Sequence, residues 1–363
     1  MENIQSVQIV LRCLSLDENL QFFKDRLGFR LEMIRPADDP SEVVLSGYGI
    51  RIKLERHNEQ TPMILQLLLK EESNEINNDL VAPNGTQIQF IKMSSKLSLP
   101  PIHQSFVLSR MTNDSQWIIG RAGMKYRDLI PNRQGGRFIA SHIRIDDGGP
   151  VNDHVHYHQI RFQIIYVYKG WVHLVYEDQG PSFILHAGQC VLQPPLIRHR
   201  VLESSPGLEV VEVACPAVHE TFIDHQLQLP TDIERPDRDF QGQCFIKFNG
   251  IQENNDWQSW RLPGFEYQDT GIVRATQNLG SVKIVRTIGH VQSQLCRHTA
   301  EFVFIFILTG QLSLEIDGQM IEKLNDGDTF VLPEKHPYRF TYTSNDLQFL
   351  EVSLPGTFLT TLL

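Results

Sequence analysis

Lysine and arginine form no cluster anywhere in this chain, and its formal net charge is −10. Nucleic acids and anionic membranes are held by clustered basic side chains that neutralise phosphates, so neither is an expected partner. Long apolar runs are also missing: none approaches the roughly 20 residues that a membrane span requires. Cysteine is sparse. Cys13, Cys190, Cys215, Cys244 and Cys296 lie far apart, with no CxxC and an odd total, which reads as reduced thiols buried as small hydrophobes. The opening MENIQSVQIVLRCLSLDENL lacks a basic stretch followed by an apolar core, so no secretory signal is expected and a cytoplasmic location is the default. A glycine-rich phosphate loop, a nucleophile elbow and HExxH are all missing, so hydride-transfer and ATP-dependent chemistry are not suggested.

What the chain does have is histidine in a pattern. His154, His156 and His158 alternate in HVHYHQ, and His199 follows in PPLIRH. Side chains two apart on a strand share a face, so this stretch can aim two or three imidazoles into one cavity, with His199 completing the set. Neutral imidazole is the commonest protein ligand for iron, zinc, copper and nickel. The surrounding composition, 41% hydrophobic and 21% charged over 363 residues, is that of an ordinary soluble protein of two or three domains.

An internal repeat organises most of the chain. Arg121, Gly123, Tyr126 and Asp128 reappear as Arg261, Gly264, Tyr267 and Asp269, about 140 residues later. Gly170 then matches Gly310, Gly188 matches Gly327, Pro194 matches Pro333, and Glu212 matches Glu351. Each copy reads as all-β, with short Val-, Ile-, Phe- and Tyr-rich runs broken by Gly, Pro, Asn and Asp. FQIIYVYKG and FVFIFILTG are nearly continuous apolar runs, as expected of strands buried on both faces. The duplicated Arg–Gly–Tyr–Asp segments are read as turns and covering residues.

The beginning of the chain differs. A strand in VQIVLRCLSL precedes a helix over ENLQFFKDRLGF, with Asp17 as its expected N-cap and Gly28 as its C-cap. Strands in RLEMIRP, EVVLSG, IRIKLERH and TQIQFI complete a βαβββ unit. The expected boundaries are 1–95 for this module, 96–115 for a linker, 116–230 for the first β-barrel and 231–363 for the second.

Around HVHYHQIRFQIIYVYKG and HAGQCVLQPPLIRHRV the chain resembles the cupin superfamily. Counting back from Gly170 puts His156 and His158 on that family's histidine pair and Gln163 on its glutamate. In the second motif Gly188 and Pro194 fit, Leu196 replaces a glycine, and His199 falls on the last ligand. Together with the repeat, this implies a bicupin: two tandem jelly-roll barrels in a mainly β fold. Cys296, Val303 and Tyr338 replace the set in the second copy, beside His298, so no metal, or one bound weakly, is expected in the second barrel. The module at the start is similar to the glyoxalase/bleomycin-resistance (vicinal oxygen chelate) family through Phe22-Phe23, Leu27-Gly28-Phe29 and Pro83-Asn84-Gly85. There Gln8 and Gln89 stand where a histidine and a glutamate are usual, and Glu55 could still serve.

The cupin resemblance implies one divalent metal on His156, His158 and His199, with Gln163 as a weak fourth ligand or a hydrogen-bond partner. Fe(II) is favoured, and Zn, Mn or Ni would suit the same ligands. Three neutral imidazoles leave the metal at its full charge and favour anionic bidentate substrates, as in the three-histidine iron dioxygenases among the cupins. His154 either shares the face of the other two or lies just outside as a base. Arg161 either points inward to a carboxylate or lies on the surface. His219 is read as a surface residue. The expected activity is dioxygenation of a small organic acid, dicarbonyl or aromatic compound. A Zn- or Mn-dependent isomerase or lyase acting on a sugar or keto acid, or a non-catalytic small-molecule binder, are the alternatives. A homodimer is an open expectation, since barrels with exposed sheet edges often pair.

Overall fold

A computed structural model of the chain describes residues 6–36, 38–70, 79–92, 97–112, 114–251 and 257–363. Two compact units emerge, Met1–Lys96 and Leu97–Leu363. Among the described residues no helix is long and apolar enough to cross a membrane.

In the first unit a four-stranded sheet runs in the order Ile9–Cys13, Ile50–Arg56, Glu42–Gly47, Arg30–Arg35. The helix Leu16–Gln21 follows the first strand and continues as a π-turn, Phe22–Arg26, burying Phe23. Its N-cap is Ser15 rather than Asp17: Ser15 Oγ accepts from the Glu18 N–H at 3.4 Å. Asp17 sits inside the first turn instead, where its charge complements the helix dipole. Gly28 closes the helical segment at φ +72, its N–H donating to Lys24 O at 3.1 Å. A second sheet joins Ile64–Leu69 to Gln87–Lys92 and Leu80–Val81, so two strands, Ile64–Leu69 and Leu80–Val81, stand beyond the five segments expected. Glu55 is engaged with Arg12 at 3.7 Å and with Lys53 at 3.5 Å, while Gln89 Oε1 accepts from Gln66 Nε2 at 3.0 Å.

The second unit holds two antiparallel barrels. The first consists of a seven-stranded sheet, Ile246–Phe248, Cys190–Leu192, Phe162–Lys169, Leu208–Cys215, Ile139–Ile145, Lys125–Asp128 and Ile118–Ile119. It faces a sheet carrying Phe183–His186, Trp171–Tyr176, His199–Ser204, His156–His158 and Thr221–Ile223. The second barrel repeats this plan around Phe302–Thr309 and Gln348–Leu354. Each barrel also takes a strand from outside its expected range. Val107–Ser109, in the stretch read as linker, pairs with Thr329, Phe330 and Val331 of the second barrel. Ile246–Phe248, placed by sequence in the second barrel, pairs with Cys190–Leu192 of the first. Residues 96 and 113 of that linker lie outside the described residues.

Alternation explains the continuous apolar runs. Along Phe162–Lys169 the side chains of Phe162, Ile164 and Tyr166 join a core shared by the two barrels, whereas Ile165 and Val167 face the interior of their own. Phe304 and Phe306 do the same from the other side, and Phe138 stacks on Phe302 with ring centroids 4.0 Å apart. Burying such a side chain stabilises the fold by about 1.5–3 kcal/mol, so the two barrels are cemented back to back. Gly170 and Gly310 occupy equivalent turns at φ +75 and +85. A β-carbon at either would strike a serine hydroxyl, and at Gly310 also the backbone of Leu347, so glycine suits these turns for space as well as for dihedral angle.

Candidate metal centre

Sheet register brings the histidines together. His156 and His158 point inward from the short strand His156–His158, while Tyr157 turns outward to stack on Phe222 at 5.2 Å. His199 begins the neighbouring strand directly opposite His156. The turn before it places Leu196 at φ +65, its N–H donating to His158 O at 3.0 Å. Leucine therefore adopts the left-handed conformation that glycine takes without cost. His156, His158 and His199 each offer one nitrogen, and these atoms all lie within 4.8 Å of one another.

The hydrogen bonds behind the rings select a tautomer. His156 Nδ1 lies 2.7 Å from His154 O and His199 Nδ1 lies 3.0 Å from Ile197 O. A carbonyl oxygen can only accept, so both Nδ1 atoms carry the proton and both Nε2 atoms keep a lone pair. Thr221 Oγ1, 2.8 Å from His158 Nδ1, can accept in the same sense. His156 Nε2 is buried without a partner among the described residues, and Gln193 Nε2 stands 3.4 Å from His199 Nε2. Burial lowers the pKa of all three: His158 falls to about 2, helped by His156 and His219, and His199 lies well below its usual value. The imidazoles are therefore neutral at neutral pH, as metal ligation requires. This donor set fits a divalent metal.

A cavity of about 510 Å³ opens beside the rings. Its walls are mainly apolar, with Ile139, Ile143, Ile165, Leu174, Val201 and Val210 prominent, and His158, His199, Gln163, Gln193 and Glu212 are among its polar lining. Gln163 is buried there: its Nε2 donates to Glu212 Oε1, and its own Oε1 is buried without a partner. Among the described residues no other group of His, Cys, Asp and Glu is arranged to hold a metal.

Two expected residues lie elsewhere. The His154 ring is exposed, 6.4 Å from that of His225, and only its carbonyl serves the site. Arg161 pairs with Glu301 at 3.1 Å, where Arg137 also binds Glu301 at 2.8 Å, joining the two barrels rather than entering the cavity. A carboxylate flanked by two guanidinium groups at the barrel seam is the better partner for Arg161. Sequence reasoning passed over four residues that do line the cavity. Arg121, read as part of a duplicated turn, pairs with Asp153 and reaches His156 Nδ1 at 3.4 Å. Tyr126 lies in the wall, and burial followed by the charge of Glu212 raises its pKa. His219, read as surface, meets the His158 ring edge-on at 5.3 Å. Glu212 was visible only as a landmark of the repeat.

No family model matches the chain, and no curated protein sequence matches it. Solved structures do. A salicylate 1,2-dioxygenase variant from Pseudoaminobacter salicylatoxidans is 12% identical, with a TM-score of 0.50 over 65% of this chain and 79% of that one. An oxalate decarboxylase from Bacillus subtilis is 14% identical, with a TM-score of 0.51 over 74% of this chain and 80% of that one. Identities this low bear on architecture and not on activity, and the architecture is that of a bicupin, two cupin barrels carried on one chain.

Proposed function

We propose that the first barrel is a mononuclear metal site, and that the protein is a non-haem Fe(II) dioxygenase acting on a small organic acid with an apolar or aromatic body. One observation carries this reading: three neutral imidazoles, each held from behind through Nδ1, converge beside a largely apolar cavity. A divalent metal on His156, His158 and His199 would supply a centre at which a carboxylate-bearing substrate and dioxygen come together. The apolar walls would seat the body of the substrate and keep water away. Arg121 supports binding of a carboxylate, its charge being shared with Asp153. Gln163 presents an unpartnered amide oxygen as a weak ligand or as an acceptor for bound water. The likeness to a salicylate 1,2-dioxygenase is in keeping with this chemistry.

The likeness to an oxalate decarboxylase supports a second reading, a Mn- or Zn-dependent lyase. A cavity of about 510 Å³ with apolar walls is large for so small a diacid, which favours the first. Elemental analysis of protein purified without added metal separates the two: iron is expected, and zinc or manganese would favour the lyase. Iron-loaded protein is expected to consume oxygen with aromatic hydroxy acids, and His158→Ala to abolish that uptake. Uptake unaffected by the substitution would overturn the site.

A further inference from the structure

Glu212 is an unusual carboxylate. It projects from Leu208–Cys215 into the barrel and lines the cavity beside Gln163, His158 and His199. Its one hydrogen-bond donor among the described residues is the Gln163 amide, and none of their cations is paired with it. The repeat supplies an internal control. Glu351 holds the equivalent place in the second barrel, opposite Ile305 as Glu212 is opposite Ile165. There the carboxylate is neutralised by Arg261 and accepts a second bond from Trp260 Nε1 at 3.3 Å. Arg121, the counterpart of Arg261, is turned instead to Asp153, whose other oxygen accepts from the Val201 N–H at 3.0 Å. Asp153 thus draws off the guanidinium that would otherwise satisfy Glu212.

A carboxylate in a largely apolar cavity retains hydrogen-bonding capacity, since it has about four lone-pair sites and only one is used by Gln163. We propose that Glu212 is the specificity-determining acceptor of this site: it receives a hydroxyl or N–H of the ligand and rejects ligands that place a second carboxylate there. This rests on the first barrel being the binding site, and it deepens that reading by naming the class: monoanionic acids carrying a hydrogen-bond donor near the carboxylate. A hydrogen bond to an ionised acceptor and the repulsion of a second anion act in the same direction, so the discrimination is expected to be large.

The test uses three probes of one size class, 2-hydroxybenzoate, 2-methoxybenzoate and benzene-1,2-dicarboxylate. Binding is measured by calorimetry under anaerobic conditions on the full chain, with metal content determined on each sample. The wild type is expected to hold 2-hydroxybenzoate at least about tenfold more tightly than either other probe. Glu212→Gln should bring the dicarboxylate to within about threefold of it, because the repulsive charge is gone. Equal affinities in the wild type, a ranking unchanged by the substitution, or no binding of any probe would each overturn the proposal.

Thermal unfolding provides a second readout that needs no ligand. Removing an unneutralised charge should leave Tm unchanged or raise it by about 2–4 °C in Glu212→Gln. Glu351→Gln breaks a buried ion pair and should lower Tm. A fall in Glu212→Gln would show that the carboxylate is structural and overturn the proposal. The metal reading fails separately: if the wild type carries no metal yet ranks the probes as stated, Glu212 keeps its role and the metal does not.

Discussion

The two barrels share a strand plan, a register and several buried side chains, yet one contains a cavity and the other a plug. His156 faces His199 across the sheet in the first, and Cys296 faces Tyr338 across the same rung in the second. Where the first barrel has Gln163, the second has Val303. Tyr338, Arg261, Glu351 and Trp260 then fill the second interior as one buried network, surrounded by Phe265, Phe340 and Phe349. The histidine common to both shows how far the difference reaches. His158 keeps its Nε2 lone pair because Nδ1 can donate to Thr221, but His298 Nδ1 accepts from the Ala300 N–H at 3.1 Å. The proton of His298 must therefore sit on Nε2. The second barrel thus differs by more than two missing histidines: its remaining imidazole carries the proton on the other ring nitrogen, and a salt bridge occupies the space.

Breaking the comparison at the metal gives the largest effect. His199→Ala is expected to take metal content from about one per chain to near zero, while His298→Ala leaves it unchanged, as read by elemental mass spectrometry. Metal retained in His199→Ala would mean that the two barrels do not differ in this respect.

The arginines come next. Arg261→Met strands Glu351 inside the second barrel and should destabilise the protein by about 3–5 kcal/mol. Arg121→Met also leaves a buried carboxylate, but Asp153 keeps the Val201 N–H and the lost guanidinium is partly exposed, so the cost should be smaller, about 1–3 kcal/mol. Urea unfolding of the two variants measures the contrast, and equal losses would remove the distinction between plug and rim.

Acid should weaken both barrels, and the first more. An imidazole whose folded pKa is depressed refuses the proton that the unfolded chain accepts below about pH 6.5, so stability falls as pH drops through that value. The fall continues towards about pH 2 for His158 and stops near pH 4 for His298. Each such histidine contributes a slope of up to about 1.4 kcal/mol per pH unit. In metal-free protein, His298→Gln should flatten the stability profile between pH 6.5 and 4 by one such share, and a profile identical to wild type would contradict its burial as a neutral base.

The smallest effect concerns the turn shared by both barrels. Leu196 and Lys335 both stand at positive φ, and each donates its N–H to the carbonyl of the inward histidine. Leu196→Gly relieves the dihedral strain and loosens the unfolded chain, so the net change should stay within about 1 kcal/mol, with metal content preserved.

Part of the histidine cluster was legible in the chain because side-chain spacing on a strand is a local property. Alternation puts His156 and His158 on one face, and Gly170 and Gly188 set the count that joins them to His199. The duplicated landmarks foretold two barrels, and Cys296, Val303 and Tyr338 marked the altered one. Arg161 could not be placed in this way, because its partner Glu301 comes from the other barrel, at a seam that no spacing reveals. Nor could Arg121 and Arg261 be told apart: the same residue in the same repeat turns to Asp153 in one barrel and to Glu351 in the other. His219 looked like a surface residue since only its fold neighbours bring it against His158.

Periodicity thus determined the β architecture, the duplication and the shared face of His156 and His158, which follow from a strand's period of two and from repeated spacing, while the resemblance to the cupins supplied His199 as their partner. Tertiary structure alone decided which strands cross between barrels, which arginine neutralises which carboxylate, and which ring nitrogen carries the proton. Those outcomes depend on groups far apart in the chain competing for the same buried hydrogen bonds, and such competition is settled only once the sheets have closed.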